Sequence, residues 1–316
     1  MEVLEYDMQC TSPTFAVMRD GLKGKKELFF GYSLYETALN NPRSEFKPIL
    51  LPCGKCLSCK MRKAKDWSIR AVHEAQLHDE NCFVTLTYDD EHLPKDMSVS
   101  IRDLQLFFKR LRKELSYYDR KIRYLACGEY GSRNGRPHYH VLLFGFVPGD
   151  NVLCSTGNLF STYSSPLISR LWPYGFNVVG SLTEKSAAYV ARYTVKKAKS
   201  LDGEREDGRT PEFITCSRRP GLGTGWIEKF FPDVYNYDYV VMKNGAIARP
   251  PRFYDKWLSL NHEKLFDRIK SERQLFAENH VQDISALHIK TIEEIMQIRT
   301  KKLVRNLDDS GKDFIL

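Results

Sequence analysis

Residues 136–145, RPHYHVLLFG, set two histidines one residue apart at the head of an apolar run that ends in glycine. In an extended strand, alternate side chains share a face, so His138 and His140 project together, about 7 Å apart at Cα, while Tyr139 points the other way. Two imidazoles so placed can converge on one divalent cation. They can equally be hydrogen-bonded residents of a core, and in a chain with 8 histidines the spacing alone does not choose. Glu129 bears on the choice. It precedes the turn at 131–136, and a hairpin there brings its carboxylate to the same ion. Two histidines and a carboxylate leave coordination positions open, which a catalytic centre requires and a structural one does not. The competing reading of Glu129 is an ordinary charge on a hairpin surface.

A second group lies downstream in YVARYTVKK. Tyr189 and Tyr193 are four residues apart, so a helix puts both phenols on one face, and Lys196, seven residues after Tyr189, shares that face while Lys197 points aside. Aromatic pairs at this spacing most often pack a core. Here Arg192, Lys196, Lys197 and Lys199 make burial of the segment unfavourable. A third feature is TLTY at 85–88, whose threonines Thr85 and Thr87 can offer hydroxyls near the histidines, or express β-propensity and nothing more.

The elements that must position these groups follow from periodicity. Residues 82–88 (CFVTLTY), 121–128 (KIRYLACG), 137–144 and 176–182 read as strands. Residues 63–79 read as a helix. Another follows Ser100 as cap, with Leu104, Phe107, Phe108, Leu111 and Leu115 in one apolar stripe. Residues 166–174 suggest a short helix and 184–199 a helix capped by Thr183. The Gly-, Pro- and charge-rich stretch 200–225 predicts a surface loop. Leu142 and Phe144 continue the histidine face and Val141 and Leu143 the opposite one, so the histidine strand should be central and covered on both sides. Hairpins joining strand–helix–strand passages imply an α+β fold with a central antiparallel sheet flanked by helices. The expected organisation is a loop-rich, Cys-rich segment 1–62 packed on the core, a main domain 63–256, and a helical region 257–316. There Ile284, Leu287, Ile292, Ile295 and Leu303 suggest an amphipathic helix that packs on the body or on a second copy. His262, His280 and His288 read as ordinary surface residues.

In order, the motifs are a hydrophobic strand with TLTY, then His-x-His, then Tyr-x-x-x-Tyr-x-x-Lys. This resembles the HUH endonuclease superfamily, the rolling-circle replication initiators, and within it the two-tyrosine initiators of microviruses. PCGKCLSCK, RPHYH and the late RPPRFYDK match the gokushovirus branch best. The three motifs cover 85–196; the looser match runs from about 50 to 258. The middle residue of the histidine motif is Tyr139, more polar than the family pattern. The resemblance implies an RRM-like nuclease core and nicking of single-stranded DNA at a replication origin. It further implies a 5′-phosphotyrosine on Tyr189 or Tyr193, with Lys196 as activating charge, Mg²⁺ or Mn²⁺ on His138, His140 and Glu129, and rejoining of the strand without ATP. Arg136, Arg192 and Lys197, with Thr85 and Thr87, are the candidate contacts to DNA. A host helicase and polymerase are implied as partners, and the cytoplasm of an infected bacterium as the location.

Cys53, Cys56 and Cys59 form CGKCLSC, a spacing that suggests a structural zinc with Cys10 as preferred fourth ligand and Cys82, His73 or His78 behind it. An iron–sulfur cluster would want a further cysteine where Lys63 stands. The chain has 316 residues, 8 cysteines, no apolar run long enough to span a membrane and no signal-like start, so the cytosol, with reduced thiols, is the default compartment. Its net charge of +8 is concentrated at 55–70, 109–123 and 192–199. Those clusters are either solvated helix faces or a surface that tracks phosphates. The rival functions are a non-catalytic zinc-bearing nucleic-acid-binding protein, an iron–sulfur redox protein, and an HUH enzyme of plasmid mobilisation or transposition.

Overall fold

The computed structural model describes residues 9–21, 26–41, 43–131, 134–156, 161–196, 207–243, 245–280 and 283–311. Two compact units emerge, one built on Lys63–Gln282 and the other on Leu4–Arg62 with Asp283–Thr300.

The smaller unit corrects the loop-rich expectation. Strands β1 (Thr14–Asp20) and β2 (Lys26–Phe30), helix α1 (Tyr32–Leu39) and strand β3 (Lys47–Leu51) form an antiparallel sheet in the order β2-β1-β3 with one helix. Phe15 meets Tyr32 and Tyr35 edge-on, and Ala16 and Val17 are buried. The strands are short and carry charges, so their alternation is weak in the sequence. The cysteine loop follows β3 and leads into α2 (Leu57–Ala75), which begins six residues earlier than periodicity suggested and takes Cys59 into its first turn.

The larger unit holds β4 (Asn81–Tyr88), α3 (Ile101–Ser116), β5 (Arg123–Tyr130), β6 (Pro137–Phe144), β7 (Val152–Thr156), β8 (Ser161–Ser164), α4 (Pro166–Leu171), β9 (Gly175–Ser181), α5 (Glu184–Lys196) and β10 (Phe213–Cys216). Beyond them lie α6 (Thr224–Tyr237), the short ribbon β11 (Val240–Val241) and β12 (Ile247–Ala248), α7 (Arg252–Asn261), α8 (Glu263–Asn279) and α9 (Ala286–Gly311). The main sheet runs β10-β5-β6-β4-β9-β8-β7, antiparallel throughout. Strand β6 is therefore central, as its apolar faces require. The stretch 200–225, read as loop, instead supplies the edge strand β10; four residues between Gly/Pro-rich flanks are too few to show a period.

Each sheet face has its own core. Val84, Leu86, Tyr139, Val141 and Leu143 pack against the α3 stripe Leu104, Phe107, Phe108, Leu111 and Leu115. Burying those five helix side chains contributes about 1.5–3 kcal/mol apiece. Ser100 caps α3, its hydroxyl accepting from Asp103 N at 3.2 Å. On the opposite face Phe83, Leu125, Cys127, Leu142 and Phe144 pack with Ala71 of α2 and with Ala187 and Val190 of α5. Thr183 and Ser186 cap α5 reciprocally: Ser186 N donates to Thr183 Oγ1 and Thr183 N to Ser186 Oγ. Gly175 opens β9 at φ +150°, where an added Cβ would sit 2.3 Å from Asp89 N and 2.4 Å from Thr87 O. No other residue lets β9 close on the end of β4.

Candidate metal centre and tyrosine site

The register of the hairpin places Glu129 directly opposite His138, and Cys127 opposite His140; on the other side of β6, Thr87 faces His138 and Thr85 faces His140. All of these side chains share the face covered by α5. Glu129 is 2% and His140 3% exposed, and His138 is half-buried. Glu129 Oε1 lies 3.0 Å from His138 Nε2 and 2.7 Å from His140 Nε2, and the three ligand atoms fall within 4.8 Å of one another.

The imidazoles are held from behind. Thr85 Oγ1 is 3.0 Å from His140 Nδ1, and His138 Nδ1 donates to the carbonyl of Arg136 at 3.1 Å. Fixing each Nδ1 turns Nε2 inward, the usual means by which proteins orient a histidine toward a metal. Phe83 stacks on His140, its ring 5.4 Å away and tilted by 12°. Burial pushes the Glu129 carboxyl up, but hydrogen bonds from His138 and His140 and their charge outweigh it and hold the group well below the usual carboxylate range. Glu129 is thus an anion at neutral pH. Two neutral imidazole nitrogens and a carboxylate suit a divalent cation with open positions.

Tyr189 completes the group. Its hydroxyl donates to Glu129 Oε1 at 3.1 Å and lies 3.3 Å from His140 Nε2, and its ring meets His140 edge-on at 4.9 Å. Arg192 Cζ is 5.5 Å from the Tyr189 ring centroid. Tyr193 and Lys196 belong to the same helix α5, and Lys197 lies outside the described residues. Thr85 is buried behind His140, while Thr87 is half-buried opposite His138. Arg136 bonds to the Tyr88 carbonyl at 2.9 Å and pairs with Asp90.

Tyr139 has a role that the sequence did not disclose. Fully buried on the far face, its hydroxyl accepts from Ser100 N at 2.7 Å and donates to Ser100 O at 3.0 Å, with Tyr88 Oη 2.8 Å away. Burial raises its phenol to about 12. The polar residue between the histidines therefore pins the start of α3.

In the smaller unit Cys10, Cys53, Cys56 and Cys59 bring their sulfurs within 4.8 Å of one another, and all are free thiols. Cys10 Sγ and Cys56 Sγ are 3.8 Å apart. A tetrahedral site with Zn–S near 2.3 Å has S···S edges of about 3.8 Å, so the spacing fits. Backbone amides point at the sulfurs: Cys53 N donates to Cys10 Sγ, and Lys55 N and Cys56 N donate to Cys53 Sγ. Burial acts to raise the Cys56 thiol, but hydrogen bonds to it prevail and bring it down to about 6. The reserve candidates are engaged elsewhere. His73 lies 2.9 Å from Tyr254 Oη and stacks on Trp226, His78 bonds to Glu74, and Cys82 is buried in β4.

Fold and side chains together define an α+β protein whose central antiparallel sheet carries a histidine–histidine–carboxylate group beneath a helix-borne phenol. Residues 81–198, from β4 through α5, match the family profile of the replication-associated protein ORF2, the gene-2 protein family. The chain is 39% identical over 226 residues to the replication-associated protein VP4 of Bdellovibrio phage phiMH2K, covering 69% of this chain and 70% of that protein. It is 32% identical over 272 residues to the replication-associated protein ORF2 of Spiroplasma virus 4, covering 81% and 83%. No solved structure matches. The chain belongs to this family of phage replication-associated proteins, the microvirus-like rolling-circle replication initiators, and its role is in the initiation of replication. Among the described residues no helix is long and apolar enough to cross a membrane.

Proposed function

We propose that the chain is a metal-dependent HUH nickase and strand transferase that cuts single-stranded origin DNA with Tyr189 or Tyr193. The observation that carries this reading is the contact of the Tyr189 hydroxyl with both Glu129 and His140. A hard divalent cation, Mg²⁺ or Mn²⁺, held by His138, His140 and Glu129, offsets phosphate charge when bound.

The chain's own groups do the remainder. The phenolic oxygen forms a bond to phosphorus as the bond to the 3′ oxygen breaks, leaving a 5′-phosphotyrosine and a 3′-OH that has taken up a proton. A free phenol, with pKa near 10, is about one part in a thousand ionised at pH 7, a deficit of about 4 kcal/mol. Lys196, seven residues along α5 from Tyr189, is the proposed cation that recovers part of it, with Arg192 beside the ring. Glu129, held strongly anionic by the histidines, serves as ligand and hydrogen-bond acceptor for the phenol rather than as the proton's final home. Reversal of the same step by the second tyrosine rejoins the strand. Arg136 and Thr87, at the open end of the strands, and Lys197 are proposed to guide the DNA; Thr85 acts on His140 instead. A structural zinc on Cys10, Cys53, Cys56 and Cys59 is proposed for the smaller unit.

The test is incubation with circular phage-type single-stranded DNA and Mn²⁺, followed by denaturing electrophoresis. Wild type gives a protein–DNA covalent band. Tyr189→Phe with Tyr193→Phe abolishes it while the melting temperature holds. A wild type that binds DNA and forms no adduct sinks the reading and favours a non-catalytic zinc-bearing DNA-binding protein.

A further inference from the structure

Arg70, on α2, is only 9% exposed. Its guanidinium is gripped between two rings, Cζ lying 4.4 Å from the Trp67 centroid and 3.9 Å from that of Phe253, and its Nε donates to the Leu222 carbonyl at 3.1 Å. Among the described residues it forms no ion pair; Asp66 and Glu74 act on it only through space. Glu74 is already engaged by Arg123, His78 and Gly223 N. A buried cation without a counter-ion is costly, and flanking rings return about 2 kcal/mol at most.

That guanidinium lines a cavity of about 340 Å³, together with Trp67, Cys216, Arg218, Gly221 and Phe253. Gly221 cannot be larger there, because an added Cβ would lie 2.7 Å from the Phe253 ring. Arg218 is exposed at the rim. Strand β10 contributes Cys216, which pairs with Leu125 as Ile214 pairs with Cys127. Leu125, Cys127 and Glu129 alternate onto one face, so the cavity lies on the same face of the sheet as the metal group. With strands about 4.8 Å apart and a rise of about 3.4 Å per residue, Cys216 is roughly 14 Å from Glu129, the span of a few nucleotides.

We propose that this cavity holds one nucleotide of the single-stranded DNA beside the cleavage point, its phosphate on Arg70 and Arg218 and its base against the ring of Trp67 or Phe253. This rests on the nickase reading above. The phosphate supplies the counter-charge that the fold withholds from Arg70, in the forked geometry guanidinium favours. Half-buried aromatic rings give a base a stacking surface indifferent to sequence. The volume admits a single nucleotide and excludes a duplex.

The test measures binding of a fluorescein-labelled 15-mer of deoxythymidine in EDTA, which separates binding from cleavage. Arg218→Gln, at an exposed position, and Arg70→Met are each expected to weaken binding roughly 5- to 20-fold and to flatten the salt dependence by about 0.7 for each phosphate no longer held. An oligonucleotide carrying 5-iododeoxyuridine should cross-link under ultraviolet light to peptides containing Trp67 or Phe253, a readout independent of how well Arg70→Met folds. If wild type binds, the variants keep its affinity and salt slope, and cross-links map elsewhere, the subsite is wrong and the nickase reading stands. If wild type binds no single-stranded DNA, both fall. Competition by inorganic phosphate as effective as by oligonucleotide, at equal ionic strength, would reduce the cavity to a general anion site and overturn the proposal.

Discussion

Thr85 acts on the cation at one remove. Its hydroxyl touches the rear nitrogen of His140 and, with the Phe83 stack, fixes that ring's rotation. Thr85→Val keeps the shape and removes the hydrogen bond. Mn²⁺ affinity, followed by electron paramagnetic resonance titration, should fall about 10- to 100-fold with the fold intact. His140→Ala should abolish high-affinity binding in the same titration. These residues were legible in the letters because β-structure has a period of two and a hairpin register is local: once His138 and His140 were placed on a strand, Glu129 and the threonines followed as neighbours. The partners of Arg70 were not, since Trp67, Leu222 and Phe253 come from segments up to 186 residues apart in the numbering and share no pattern.

At the scale of elements, Tyr139 ties the histidine strand to α3. Tyr139→Phe removes the hydroxyl that satisfies Ser100 N and O, and should lower stability by about 1–3 kcal/mol in denaturant titration, with Mn²⁺ affinity little changed. Ser100→Ala, which loses the cap, should cost about 1 kcal/mol. The stripe of α3 was plain in the sequence because five large apolar residues repeat on one face. Strands β1–β3 and β10 were not, being four to seven residues long, charged or flanked by glycine and proline. Their pairing is decided by partners distant in sequence rather than by any local period.

For the whole molecule, pH acts through His73. Buried against Trp226 and Tyr254, it is pushed by burial from 6.5 down to about 3. Between those values the unfolded chain holds a proton that the folded chain refuses. This contribution to stability is therefore complete above pH 6.5 and declines as the pH falls toward 3, by up to about 1.4 kcal/mol per unit. His73→Phe should flatten that decline in chemical denaturation series at about pH 4 to 7. In the smaller unit, purified protein should release about one zinc per chain to a colorimetric chelator when its thiols are blocked, and Cys56→Ser should carry none.

Both atoms that the Tyr189 hydroxyl touches, Glu129 Oε1 and His140 Nε2, are atoms an incoming cation would claim. The phenol is therefore a stopper in its own pocket. Loading the ion means expelling that stopper, which frees the tyrosine's oxygen at the moment a charge arrives to steady its target, so that the idle chain stays disarmed by its own weapon.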